Sequence, residues 1–282
     1  MMGYWRSLLC VFMLISFWSC ASDKEYLATI ETRHGTIVAV FFEDTPVHKS
    51  NFIELAEAGR FDSTEFHRVM KGFMAQGGDV FTKEELPPAD WPTLPAEITD
   101  QHFHKRGMIA AARQPDGINP EKRSNGSQFY IVLGKVYSEP ELIVDFSKLQ
   151  PAFMKYMQLG SQEDLKKEYI RLYEAQEFDS LTALLVSKRE EIEKSLNIKA
   201  TKDYSPKQIE AYTSIGGTPH LDGEYTVFGQ VIQGMDVVEK IEKEQTDFRD
   251  KPINPVYMKV TVEKISKKKI ENDYGYQFPS TK

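Results

Sequence analysis

Cysteine is nearly absent: the 282 residues hold two, Cys10 and Cys20. Both belong to an N-terminal apolar stretch, so the chain beyond it has no pair with which to form an internal disulfide. Concentrated charge of one sign is also missing. The net charge is −7, and no stripe of lysine and arginine is interleaved with aromatics. That removes the phosphate attraction that dominates nucleic-acid affinity, and no nucleic-acid partner is expected. The one basic cluster, Lys267-Lys268-Lys269, reads as a solvated strand end. Long hydrophobic runs are lacking too. The apolar run over residues 8–18 is shorter than the roughly 20 residues a membrane helix needs, but with Arg6 before it the run suits a secretory signal.

Several chemistries are excluded in the same way. Gln76-Gly77-Gly78-Asp79 is not a phosphate-binding glycine fingerprint. Asn125-Gly126-Ser127-Gln128-Phe129 lacks the second glycine of a nucleophile elbow. His102 and His104 stand two apart, a spacing a strand could offer to a metal, but no third ligand accompanies them. They read as solvent-exposed loop histidines, and neither metal nor cofactor is expected. No internal repeat is evident.

What is present is a chain of 41% hydrophobic and 27% charged residues, enough to bury a substantial core. Residues 27–42 read as two strands around Arg33-His34-Gly35, rich in β-branched and aromatic side chains. Thr45-Pro46 supplies an N-cap and a proline at the first helical position, Val47, Phe52, Leu55 and Ala56 an apolar face, and Gly59 the stop. Further strands are expected over 65–69, 107–112, 129–133 and 227–231, with a helix over 235–243 after Gly234. Val256, Met258, Val260 and Val262 alternate with polar residues at the period of a half-buried strand. Many short strands and two helices predict a closed β-barrel with helical caps.

Over residues 137–214 the periodicity turns helical. Ser161 and Asp164 open one helix, with Leu165, Tyr169, Leu172 and Tyr173 on one face. Leu181, Leu184, Leu185, Ile192 and Leu196 mark a second, and Ser205-Pro206 caps a third carrying Ile209 and Tyr212.

Phe66-His67-Arg68-Val69, Phe73-Met74 and Gln76-Gly77-Gly78-Asp79 together resemble the signature of the cyclophilins in order and spacing. The resemblance continues through Gly107-Met108-Ile109-Ala110-Ala111-Ala112-Arg113, Asn125-Gly126-Ser127-Gln128-Phe129-Tyr130-Ile131, Leu221-Asp222-Gly223 and Val227-Phe228-Gly229. It covers about 28–133 and 216–265 and leaves out the N-terminal run and the helical stretch. It implies a mainly β fold with helices: a closed eight-stranded antiparallel barrel capped by two helices, here with an inserted α-helical segment. It also implies a peptidyl-prolyl cis-trans isomerase.

That activity explains the residue types on physical grounds. Rotation about an amide meets a barrier of roughly 18–20 kcal/mol because its C–N bond is partly double, and Xaa-Pro exchange unaided takes about tens to hundreds of seconds. A catalyst need only hold the proline ring in an apolar pocket and offer a fixed donor that favours the twisted amide. By resemblance, Arg68 is that donor, and its guanidinium is permanently charged with several N–H groups in a rigid fork. Gln76 positions it and is grouped with it as catalytic. The resemblance assigns substrate binding to Phe73, Met74, Ala112, Arg113, Gln128, Tyr130, His220, Leu221 and Tyr225. His67 is expected to make a structural hydrogen bond, because isomerisation transfers no proton.

The chain departs from the family at four of these positions. Tyr130 stands where phenylalanine is common, Arg113 where asparagine is frequent, and His220 and Tyr225 where many eukaryotic members carry tryptophan and histidine. The departure at His220 weighs against tight cyclosporin binding. Residues 114–124 form a longer stretch than in compact members, which reshapes the edge of the groove.

At the N-terminus, Phe17-Trp18-Ser19-Cys20 resembles a bacterial lipobox. It implies a signal over 1–19, a lipidated Cys20 and a tether over 20–26. The remaining organisation is a first barrel part over 27–136, the insertion over 137–214, a second barrel part over 215–266 and a tail over 267–282. The expectation is a monomeric isomerase in the cell envelope, bound to a membrane only through its lipid and acting on proline-containing segments of exported proteins. With no aspartate after Cys20, the outer membrane is the expected site, on its periplasmic or surface face. The competing reading is a non-catalytic proline-peptide-binding or chaperone module that uses the helical segment as a docking surface.

Overall fold

The computed structural model describes residues 23–160 and 162–279; Cys20, the signal over 1–19 and Ser161 lie outside them. The strands are β1 (Lys24–Thr32), β2 (Gly35–Phe41), β3 (Arg68–Met70), β4 (Met74–Gly77), β5 (Thr93–Leu94), β6 (Met108–Arg113), β7 (Ser124–Val132), β8 (Val227–Gln233) and β9 (Met258–Ser266). The helices are α1 (Pro46–Glu57), α2 (Val80–Lys83), α3 (Glu139–Leu142), α4 (Phe146–Tyr156), α5 (Glu163–Glu174), α6 (Phe178–Leu196), α7 (Pro206–Ser214), α8 (Met235–Glu242) and α9 (Lys267–Tyr274).

All strand pairs are antiparallel, in the order β3-β4-β7-β6-β8-β2-β1-β9, with the short β5 added to β7. The sheet therefore has nine strands, and its ladder is open between β3 and β9 rather than closed through eight. The segments leading into those two strands still meet. Ser63 N–H donates to the Met258 carbonyl at 3.0 Å, Met258 N–H to Thr64 at 2.9 Å and Phe66 N–H to Val256 at 2.9 Å. Edge groups there are satisfied by loop backbone instead of a ladder.

Strand alternation sorts the side chains into two sets. One set meets α1 and α8 in the main core, where Phe52 lies 4.8 Å from Phe41 and from Phe61, ring centre to ring centre. Such pairs add about 0.5–1.5 kcal/mol each beyond the burial of their area. The other set, including Met74, Met108, Ala110, Tyr130 and Val227, forms a second cluster on the opposite face.

The expected hairpin over 27–42 is β1 and β2, joined by Arg33-His34 with Thr32 opposite Gly35. The start of α1 differs from expectation. Thr45 stands at the N-cap, but its hydroxyl bonds the Phe42 carbonyl, and the cap is supplied by Glu97. The Glu97 carboxylate accepts the Val47 and His48 N–H groups, both at 3.0 Å, placing a negative charge at the positive end of the helix.

Other departures have equally local causes. β3 is shorter than expected, since Glu65 makes only an isolated bridge to Tyr257. Lys267-Lys268-Lys269 opens α9 instead of ending a strand, because the Ser266 hydroxyl accepts the Lys269 N–H. Residues of the expected tail pack: Ile270 is buried, and Tyr274, Tyr276 and Phe278 lie against the cluster of Leu27, Val38 and Val40. At the other end, the stretch expected as a tether enters β1 at Lys24.

Helices α3 to α7 occupy 139–214, and α4, α5 and α6 build a cluster of their own around Leu149, Phe153, Tyr156, Leu185 and Ile192. Leu172 of α5 is buried but Tyr173 is exposed, so the expected apolar face is narrower by one residue. The reciprocal capping box of Ser205 and Gln208 starts α7.

Candidate active site

Arg68, Gln76 and Tyr130 lie in one row across three strands. Arg68 of β3 pairs with Gln76 of β4, which pairs with Tyr130 of β7. Residues paired across adjacent strands point to the same face, so three side chains far apart in sequence converge by register alone. They line a cavity of about 470 Å³ with Phe73, Met74, Ala112, Arg113, Gln128, Leu221 and Tyr225. Ten of the eleven residues expected at the site therefore share one cavity. The eleventh, His220, is not among its lining residues; its ring stacks on Phe73 with centres 5.5 Å apart.

The two arginines differ in their surroundings. Arg68 keeps 44% of its side chain exposed, and the nearest carboxylate, Asp250, stands 3.6 Å from its Nε, too far for a hydrogen bond. Among the described residues its one hydrogen-bond contact is Nη2 to the Met70 sulfur at 3.1 Å. Arg113 is only 4% exposed. It donates to the Glu224 carbonyl at 2.8 Å, the Gln114 carbonyl at 3.0 Å, Asp116 at 2.6 Å and the Glu224 carboxylate at 3.1 Å, and its guanidinium lies 4.6 Å from the Tyr225 ring centre. Its guanidinium is committed to fastening the 114–124 stretch to the turn before β8.

Gln76 Nε2 donates to Gln128 Oε1 at 2.9 Å. Asn125 Oδ1 accepts the N–H groups of Ser127 and Gln128, each at 2.9 Å, which fixes the backbone that carries Gln128. Tyr130 is buried, and burial pushes its hydroxyl well above the usual value of 10. Its O–H lies 3.0 Å from His104 Nε2.

His104 is 1% exposed and so is not the solvent-exposed loop histidine expected; its ring and backbone both bond Asp222. His102 is paired with Asp44 at 2.7 Å and stacked on Phe42. Among the described residues no group of three or more His, Cys, Asp or Glu side chains is placed to hold a metal ion. His67 has a backbone hydrogen-bond partner in Glu65, while its Nδ1 is buried with no hydrogen-bond partner. Burial lowers that ring's pKa below 6.5.

The cavity also extends over Ile118, Asn119 and Arg123 of the 114–124 stretch expected at the groove edge, and over Pro88, Trp91 and Thr93, which were not singled out from sequence. The signal for the latter was the Pro87-Pro88-Ala89-Asp90-Trp91-Pro92 run. An apolar floor with the exposed Arg68 guanidinium at its side suits a ring that carries no N–H, attached to a carbonyl.

The sequence profile of the family described as "Cyclophilin type peptidyl-prolyl cis-trans isomerase/CLD" matches residues 27–161 and 195–263. The chain belongs to the cyclophilin-type peptidyl-prolyl cis-trans isomerases. Every cavity-lining residue of this cyclophilin lies within the matched segments, and the match passes over 162–194, which holds α5 and most of α6. A peptidyl-prolyl cis-trans isomerase of Arabidopsis thaliana is 25% identical over 238 residues, covering 83% of this chain and 94% of that one. A Streptococcus pyogenes protein named for both phosphatase and peptidyl-prolyl cis-trans isomerase is 28% identical over 228 residues. That alignment covers 79% of this cyclophilin and 36% of the longer protein. A cyclophilin-type isomerase of Cryptosporidium parvum superposes over 85% of this chain and 98% of its own, with 19% identity and a TM-score of 0.49.

Proposed function

We propose that this cyclophilin accelerates rotation about Xaa-Pro bonds by seating the proline ring on Phe73, Met74, Tyr130 and Leu221 while Arg68 donates to the twisting amide. The observation that carries this reading is the contrast among the three cavity arginines: Arg113 donates to four acceptors and Arg123 to Thr93, whereas among the described residues Arg68 bonds only a sulfur, with the Asp250 carboxylate 3.6 Å away. As the C–N bond turns, resonance is lost and the prolyl nitrogen regains a lone pair, so a donor aimed there favours the transition state over either ground state. The Gln76–Gln128 bond leaves the Gln76 carbonyl and the Gln128 N–H groups to orient Arg68 and the substrate chain.

The biological setting is a lipid-tethered monomer in the cell envelope, acting on exported polypeptides. The apolar run ending at Cys20 supports it, and so does the lack of any later cysteine. The helices over 137–214 are read as an insertion into a barrel whose ends are joined by the bonds between 63–66 and 256–258.

Catalytic amounts of the purified chain should shorten the slow, proline-limited refolding phase of a test protein; an unchanged phase contradicts the isomerase reading. Intact mass of the membrane fraction should show a chain beginning at an acylated Cys20. An unmodified N-terminus elsewhere contradicts the anchor.

A further inference from the structure

A largely buried chain of hydrogen bonds leads from the wall of the prolyl cavity into the helical segment, and the proposed chemistry uses none of these bonds. Its far end is Asp222 Oδ2, which accepts the Tyr212 hydroxyl at 2.7 Å and the Gln208 amide at 3.1 Å, both from α7. The other carboxylate oxygen accepts the His104 backbone N–H at 2.8 Å and lies 3.0 Å from His104 Nδ1. The near end is the Tyr130 hydroxyl, 3.0 Å from His104 Nε2.

The directions of these bonds follow from what each group can do. A carboxylate only accepts, so His104 carries a proton on Nδ1; in the neutral ring this leaves Nε2 as an acceptor and makes Tyr130 the donor. The Tyr130 proton is thereby drawn to His104, and the ring offers the substrate an apolar face. Leu221, also part of the wall, precedes Asp222 directly, so four donors on one carboxylate fix that turn as well.

Resting on the isomerase reading, we infer that Tyr212 is a positioning residue, which acts through Asp222 and His104 to hold Tyr130 and Leu221 in the geometry that binds proline. The helical segment thus sets substrate affinity at a site built on the sheet.

The test is exchange of an Ala-Pro-containing peptide followed by NMR with the purified chain and its Tyr212→Phe and Tyr130→Phe variants, each of which removes a hydroxyl and keeps the ring. Tyr212→Phe should raise KM about three- to tenfold, with kcat within about twofold. The double variant should show the KM of the worse single one, because both cut the same chain. An unchanged KM in Tyr212→Phe, a loss confined to kcat, or a double effect equal to the product of the singles overturns the inference. The imidazole ¹⁵N spectrum of the wild type gives a check that needs no variant: the Nδ1-protonated form of His104 is expected, and an Nε2-protonated ring overturns the chain of bonds. If wild type gives no turnover, the isomerase reading fails by itself, and peptide Kd replaces KM in the same comparison.

Discussion

Arg68 and Arg113 reach the same cavity with opposite degrees of freedom, a difference that the sequence, which made one a donor and the other a substrate-binding residue, did not foretell. Arg68 was legible from its motif, since Phe66-His67-Arg68-Val69 fixes strand, register and neighbours together. Arg113 was expected to bind substrate, but its acceptors Asp116 and Glu224 come from two loops and carry no periodic signal. Removing its charge with Arg113→Leu should loosen the 114–124 stretch, raising KM about three- to tenfold with kcat within about twofold. A fall in kcat at constant KM, read by the same peptide exchange, would place Arg113 in the chemistry instead. His104 was misread for a related reason. Its burial is made by Asp222, 118 residues away, and a lone histidine in a loop gives no hint of so distant a partner.

Among the elements, α1 shows how a motif can be placed correctly and explained wrongly. Thr45-Pro46 marked its start, yet Glu97 supplies the cap and binds His48 Nδ1 at 2.6 Å, while His48 Nε2 accepts the Ser124 hydroxyl at 2.8 Å. The helix is thereby fastened to β7 at the edge of the cavity. Burial lowers the pKa of His48 below 6.5, against the raising effect of Glu97. The unfolded chain therefore takes up a proton near pH 6.5 that the folded chain refuses, and stability falls as pH drops from there towards the lowered folded value. Denaturant midpoints should decrease from pH 7.5 to 5.5, and His48→Gln should flatten that dependence; an equal slope in both proteins contradicts this origin.

The junction between sheet and helical segment rests on Gly217, which bridges to both Lys105 and Lys135. Its φ is +154°, and a Cβ there would lie 2.3 Å from the His104 carbonyl oxygen. Gly217→Ala should cost about 1–3 kcal/mol, measured by denaturant unfolding. A variant as stable as wild type would show that the junction yields easily.

At the scale of the whole molecule, an antiparallel sheet was legible because its strands alternate and its turns carry glycine, whereas the open ladder and the way its ends meet were not. That junction depends on single backbone bonds between 63–66 and 256–258, which leave no pattern in the side chains. The helical segment was visible in part: α5, α6 and α7 follow the 3.6-residue period, but α3 is four residues long, too short to show one. Ten of the residues expected at the site meet in one cavity, with the 114–124 stretch at its edge; the extension over Trp91 was not legible, because a loop rather than a ladder brings it there. The account as a whole stands on Arg68. NMR exchange of a proline peptide, with wild type and Arg68→Ala compared at equal concentration, tests it most directly. The account predicts catalysed line broadening by wild type and a loss of about 10²- to 10³-fold in kcat/KM for Arg68→Ala, with an unchanged unfolding midpoint for this half-exposed side chain. Full activity in Arg68→Ala, or exchange at the uncatalysed rate with wild type, would contradict it.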